Sequence, residues 1–434
     1  MPLGRHIAHH ALLKYAFLLL AAGLALAGCQ DKISTLGAQY YSDTISTETS
    51  IRNDPGFIQF ADTLRPFVAA NGVDYGLNDS TTLMIIGKVN NPYPPSNTEN
   101  LESWGFLAFP PLDSVNNITG VRLILKDHLY KYGDSTSATS SMVDLSVYAV
   151  YNAVFDAMDS FPTANPPNGG VLVGSIDTLF PDSTDRELAI TLNQNSNAVI
   201  PLLTESFNAF VIIPKPTMTN ARGFGTIHSY SDASSIPQMI YYLKNGNSVV
   251  ATPTLDFHIV HDMSITPTNE FTLRGSMGKR ERITLNLTRP TDTAQLNGFT
   301  TINNATLVLH IDPNNSSHSN IQGDTAGPDV VLLGTVDSAD HYESNGYLDP
   351  TDPTNTTYRF QVRTLIEQWL RNPSQNLGFE LRSGFDDHSF GALESIGVED
   401  NTLNRWTFYG PNYGMSHSDS TKRPYFILSY SKLK

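Results

Sequence analysis

The chain holds one cysteine in 434 residues, Cys29. No disulfide can close within a single chain, and no thiolate cluster can hold a structural metal. Charge is sparse as well. Only 16% of the residues are charged, and 42 acids against 27 bases give a formal net charge of −15. An acidic surface disfavours nucleic acid and anionic lipid as partners. Long apolar runs are missing with one exception, Tyr15–Ala27 (YAFLLLAAGLALA), which falls short of the roughly 20 residues a spanning helix needs. Helical periodicity is nearly absent. So are the short motifs of catalysis: there is no Gly-x-Ser-x-Gly elbow, His-Glu-x-x-His helix, phosphate loop or dinucleotide fingerprint. Carboxylates are numerous, yet sequence places no two of them across a cleft as a glycosidase requires. The expectation is a non-enzymatic chain without a cofactor.

What is present begins at the N-terminus. Arg5 and Lys14 precede the apolar run, which ends in Leu26-Ala27-Gly28-Cys29. A positive start, a short apolar core and small residues before the cut read as a signal peptide over residues 1–28. The last four residues match the lipobox of bacterial lipoproteins, where only a cysteine thiol can take the thioether-linked lipid. Cys29 is therefore the expected lipidation site. More than one acyl chain there gives stable anchoring. Residue 30 is Gln rather than the Asp that retains such proteins in the inner membrane, so an outer-membrane anchor is expected. Residues 29–54, rich in Ser and Thr, read as the acylated cysteine and a polar tether.

Beyond residue 55 the chain alternates short β-branched and aromatic segments with Gly, Pro and Asn turns. Sixteen segments read as strands, from Thr82–Lys88 to Tyr425–Tyr430. The series falls into two similar halves. Ile118-Thr119-Gly120-Val121-Arg122-Leu123-Ile124-Leu125 parallels Ile302-Asn303-Asn304-Ala305-Thr306-Leu307-Val308-Leu309. Val171–Asp177 parallels Val331–Asp337. Each half closes on a proline-led strand, at Pro237 and at Pro424. The expected fold is all-β: two tandem antiparallel, jelly-roll-like β-sandwiches, over 55–250 and 251–434.

The second half carries VRTLIEQWL (362–370), Asn376-Leu377-Gly378-Phe379-Glu380-Leu381, Phe390-Gly391-Ala392-Leu393-Glu394-Ser395 and Arg423-Pro424-Tyr425. This order resembles the DNRLRE, or disaggregatase-related, β-sandwich domain, which is allied to carbohydrate-binding modules. Ala392 stands where that family usually has serine. The segment Gly275–Leu285 (GSMGKRERITL) is similar to one in lipoproteins of the Bacteroidetes–Chlorobi group. The resemblance implies a sandwich with a glycan-binding relative. Trp369, at helical spacing with Leu365 and Ile366, is expected to seal one end of the sandwich.

Three groups are candidates for chemistry. Trp406, Tyr409 and Tyr413, in a loop rich in Gly and Pro (WTFYGPNYGM), offer rings for stacking on sugars, or a cover for a sandwich end. Asp386 and Asp387, expected in a loop, are candidate ligands of a structural calcium ion, though turn chemistry explains them equally. Asp256, His258, His261 and Asp262 lie in LDFHIVHDM; in a strand Asp256 and His258 share a face while His261 falls on the other, so a single metal site would need a bend; solvated polar residues are the plainer expectation. The sequence thus leads to the expectation of an envelope-anchored protein presenting a binding or adhesive surface, with polysaccharide as its ligand class. An accessory subunit of an outer-membrane or secretion assembly is the alternative, and a polysaccharide-degrading enzyme the third.

Overall fold

The computed structural model describes residues 45–52, 58–64, 83–92, 98–112, 117–133, 142–150, 165, 170–179, 187–192, 208–227, 235–264, 269–274, 279–287, 301–317, 330–335, 342–354, 356–387, 396–399, 402–413 and 420–433. They form an all-β structure. Two strands lead, β1 (Ile45–Arg52) and β2 (Ile58–Leu64). Nine follow in a first body: β3 (Leu83–Pro92), β4 (Thr98–Phe109), β5 (Ile118–Gly133), β6 (Met142–Val150), β7 (Val171–Leu179), β8 (Glu187–Leu192), β9 (Asn208–Pro214), β10 (Asn220–Gly225) and β11 (Gln238–Leu243). Two more, β12 (Ser248–Ala251) and β13 (Leu255–Asp262), precede a second body. That body holds β14 (Glu270–Leu273), β15 (Lys279–Leu285), β16 (Thr301–His310), β17 (Val330–Thr335), β18 (Tyr342–Leu348), β19 (Thr357–Gln361), helix α1 (Arg363–Arg371), β20 (Phe379–Asp387), β21 (Ile396–Glu399), β22 (Trp406–Tyr409) and β23 (Tyr425–Leu433).

Alternation explains the strands. In β8 (ELAITL), Leu188, Ile190 and Leu192 point inward while Glu187, Ala189 and Thr191 face out. The first core gathers such residues from β5, β6, β8, β9 and β11. The second gathers the corresponding set around Leu307, Phe360, Phe379, Trp406 and Phe426. In α1, Leu365, Ile366 and Trp369 are buried, with the indole 4.7 Å from the ring of Phe379. Trp369 is thus a residue of the second core.

The pairing shows the repeat more fully than the sequence does. The second body runs β23-β16-β19-β18-β17-β20-β15 across one sheet. In the first, β11-β5-β8 and β7-β6-β9-β4 follow the same course, with β7 lying against β8. Likewise β3 pairs β10 as β14 pairs β22. By this order β17 takes the place of β6, and β18 that of β7, so the likeness of Val171–Asp177 to Val331–Asp337 joins non-equivalent strands.

The edges correct the expected boundaries. β12 and β13 flank the first body, against β11 and β4. β1 and β2 take the same two places on the second body, against β23 and β15. Each repeat therefore begins with a two-strand leader that completes the other repeat. β12 and β13 thus extend the first body's sheet although they open the second repeat, and residues 58–64 lie in the second sheet rather than in the first sandwich. Part of the expected tether, Ile45–Arg52, is the strand β1. Its Ile and Thr residues (ISTETSIR) are strand formers, and the open edge of β23 supplies its backbone partners.

The bodies meet at a buried seam. The Tyr132 hydroxyl lies 2.6 Å from Ser317 Oγ, and the Tyr130 hydroxyl accepts a hydrogen bond from the Leu403 amide at 2.8 Å. Leu403 packs with Ile85, Val89 and Val260 of the first body. Arg274, fully buried, donates to the Leu403 carbonyl at 2.8 Å, approaches Asp262 at 3.3 Å and lies over the Tyr132 ring.

Candidate functional site

Trp406, Tyr409 and Tyr413 do not form an exposed row. β22 pairs with β14, and alternation turns Trp406 and Phe408 into the second core, where Trp406 has no exposed surface. Tyr409 is buried too, tilted against Tyr413 at 4.3 Å with the Lys422 ammonium 5.1 Å over its ring. The stacking platform read from the sequence is thus corrected to a packed corner. Asp386 and Asp387 close the strand β20, opposite Gly397 and Ile396 of β21, rather than lying in a loop. Their side chains, Cys29 and Glu394 lie outside the described residues. Among the described residues no three His, Cys, Asp or Glu side chains are grouped to hold a metal.

The corner around Tyr409 concentrates charge. The Asn315 amide donates to Asp312 Oδ2 at 2.8 Å and to Glu270 Oε2 at 3.2 Å. Burial, then the nearby Asp312 carboxylate, push the Glu270 carboxyl up to about 7. Burial and the same carboxylates push the Tyr409 phenol upward. The corner is a structural knot: Asp312 also caps its own loop by accepting from the Asn314 backbone amide, and Ser317 of that loop reaches the seam.

The polar residues of β13 are not solvated as expected. Asp256 and His258 point to the inner side of the first body and are buried. Asp256 accepts a 2.7 Å hydrogen bond from the Ile227 amide, and burial raises its carboxyl to about 7. Burial lowers His258 to about 4. His261, one residue out of phase, is exposed. Alternation puts His261 on the face opposite Asp256 and His258, and no three of the four side chains are grouped to hold a metal.

An open face remains on the other side of the first body. Over β12-β11-β5-β8 the outward positions are Ser248 and Val250, then Tyr242, Ile240 and Gln238, then Gly120, Arg122 and Ile124, then Thr191 and Ala189. Ile124 at the centre is buried, while Arg122, Thr191, Tyr242 and Val250 are exposed, Tyr242 by 37%. The Arg122 guanidinium sits 5.8 Å from the centroid of the Tyr242 ring. Gly120 stands opposite Tyr242 and carries no side chain to cover the ring. Lys126 and Glu187 pair with each other at the far end.

The second body provides an internal comparison. Register and sequence agree that Thr306 stands where Arg122 does and Ser429 where Tyr242 does. Thr306 is buried and bonded to Asn304 and Gln361. The Arg–Tyr pair is particular to the first repeat. Sequence reasoning missed it because a lone Arg and a lone Tyr, 120 residues apart, share a face only through the β5–β11 register. No family model and no curated protein matches this chain, so the likeness to DNRLRE domains rests on the motifs quoted above.

Proposed function

We propose that the chain is a non-catalytic lipoprotein, acylated at Cys29 and held to the outer membrane, that binds polysaccharide on the outward face of β12-β11-β5-β8. One observation carries the reading. A tyrosine exposed on the sheet's outward side stands opposite Gly120 and 5.8 Å from a guanidinium, where the sister repeat has Ser429 and Thr306. Sugar rings present flat C–H faces that suit an aromatic ring, and their hydroxyls suit the Arg, Thr and Gln around it. The anchor fits this use: β1, the first described strand after Cys29, pairs with β23 of the second body rather than with this face. The test is retention of the soluble chain, lacking residues 1–29, on a broad panel of plant, algal and bacterial polysaccharides. Retention that is lost in Tyr242→Ala supports the reading; no retention on any polymer overturns it.

A second reading, an accessory subunit of an envelope assembly, is favoured by the edge strand β12. It ends the first sheet with Val249 and Val250 43% and 52% exposed, a template for another strand. Pull-down from solubilised outer membranes tests it. Loss of a co-purifying protein in Val250→Lys supports this reading, and a chain that always purifies alone contradicts it.

A further inference from the structure

The chemistry of the open face goes beyond polysaccharide in general. We infer that it selects acidic sugars, with Arg122 taking the carboxylate of a uronate residue and Tyr242 stacking on a ring of the same chain. This rests on the polysaccharide reading above and narrows it.

The argument is one of charge. The chain as a whole is acidic, at −15, and such a surface repels polyanions. The open face is the exception. The residues registered beside Arg122 are Thr191 and Ile240, and the next outward positions on its strand are Gly120 and Ile124. None is acidic. The closest acid in the register, Glu187, is already paired with Lys126. Among the described residues Arg122 makes no ion pair; its guanidinium lies over the Tyr242 ring, which holds it without neutralising it.

A guanidinium held over an aromatic ring is ordered before a ligand arrives, and its planar fork matches a carboxylate through two parallel hydrogen bonds. A neutral sugar would leave that charge without a counterpart. An acidic sugar supplies one, and the acidic remainder of the surface then keeps the polyanion on this face rather than spread over the protein. The sister repeat, with buried Thr306 and with Ser429 at these positions, offers neither element.

The experiment uses the chain lacking residues 1–29, with polygalacturonate as the probe and its carboxyl-reduced form as the control, which keeps the polymer and removes the charge. Affinity electrophoresis and calorimetry should show carboxyl reduction weakening binding by about tenfold or more. Arg122→Gln should lose the same factor, and Arg122→Lys should recover part of it. Added salt should weaken polygalacturonate binding but not that of a neutral polymer. Arg122 is exposed, so an unchanged melting curve separates lost binding from lost folding. Equal affinity for the two polymers, or Arg122→Gln binding like the wild type, overturns the inference while leaving polysaccharide binding intact. Failure to bind any polymer, charged or neutral, removes both.

Discussion

Replacing Arg274 by methionine should cost the protein about 3 kcal/mol. The side chain is fully buried where the two bodies meet. It donates to the Leu403 carbonyl at 2.8 Å, sits 3.3 Å from Asp262 and covers the Tyr132 ring. Methionine keeps most of the volume but removes the charge, so a buried carboxylate loses its cation and a buried carbonyl its donor. Removing one partner of such a pair costs about 3–5 kcal/mol in general. The low end applies because the Ser264 amide still donates to Asp262 at 2.9 Å. Urea unfolding of the wild type should show one transition, because the seam and the exchanged leader strands bind each body to the other. In Arg274→Met the midpoint should fall and the transition broaden. Asp262→Asn on the methionine background should cost clearly less than on the wild type, a coupling of about 1 kcal/mol or more. A loss below about 1 kcal/mol, or strictly additive effects, would refute the view of Arg274 as the seam's ionic tie.

Asp256→Asn should change how stability depends on pH. A carboxyl raised from the usual range to about 7 favours the folded state when protonated, so its contribution falls as pH climbs from about 4 to 7 and is flat above. His258, lowered to about 4, acts in the opposite sense, losing stability as pH drops from about 6.5 to 4. The asparagine variant should therefore gain on the wild type at pH 8 relative to pH 4.5, by about 3 kcal/mol in denaturant titrations; an unchanged difference would contradict the burial argument. Trp406→Ala should lower stability by about 3–5 kcal/mol, as a large core truncation does, while glycan retention of the folded fraction stays at the wild-type level. Reduced retention there would return the second body's corner to consideration. Cys29→Ala should abolish incorporation of labelled palmitate in bacterial cells and release the protein from the membrane fraction; continued labelling would contradict acylation at this residue.

Much of the β structure was legible because its signal is local. Strands such as Glu187–Leu192 and Gln238–Leu243 state their alternation outright, and the observed strands keep those bounds. β10 (NARGFG) escaped because every position is buried and none alternates. The leader strands were misplaced for a different reason. Nothing in Ile45–Arg52 says that its partner is β23, at the opposite end of the chain. At the candidate sites, Trp406 and Phe408 did carry a period of two, but Gly410 and Pro411 drew the segment into a loop reading. Asp256 and His258 alternate with Phe257 and Ile259 as a solvated face would. Only packing shows that both faces of β13 are covered. The Arg122–Tyr242 face had no sequence signal at all, since it depends on register between strands far apart in the chain.

The central claim is that the first body's outward sheet is the binding surface. A crystal structure of the soluble chain with an oligogalacturonate tests it most directly. The account predicts a sugar ring over Tyr242 and a carboxylate within hydrogen-bond reach of Arg122. An oligosaccharide bound instead at the Tyr409–Tyr413 corner, or on the second body's sheet, would contradict it.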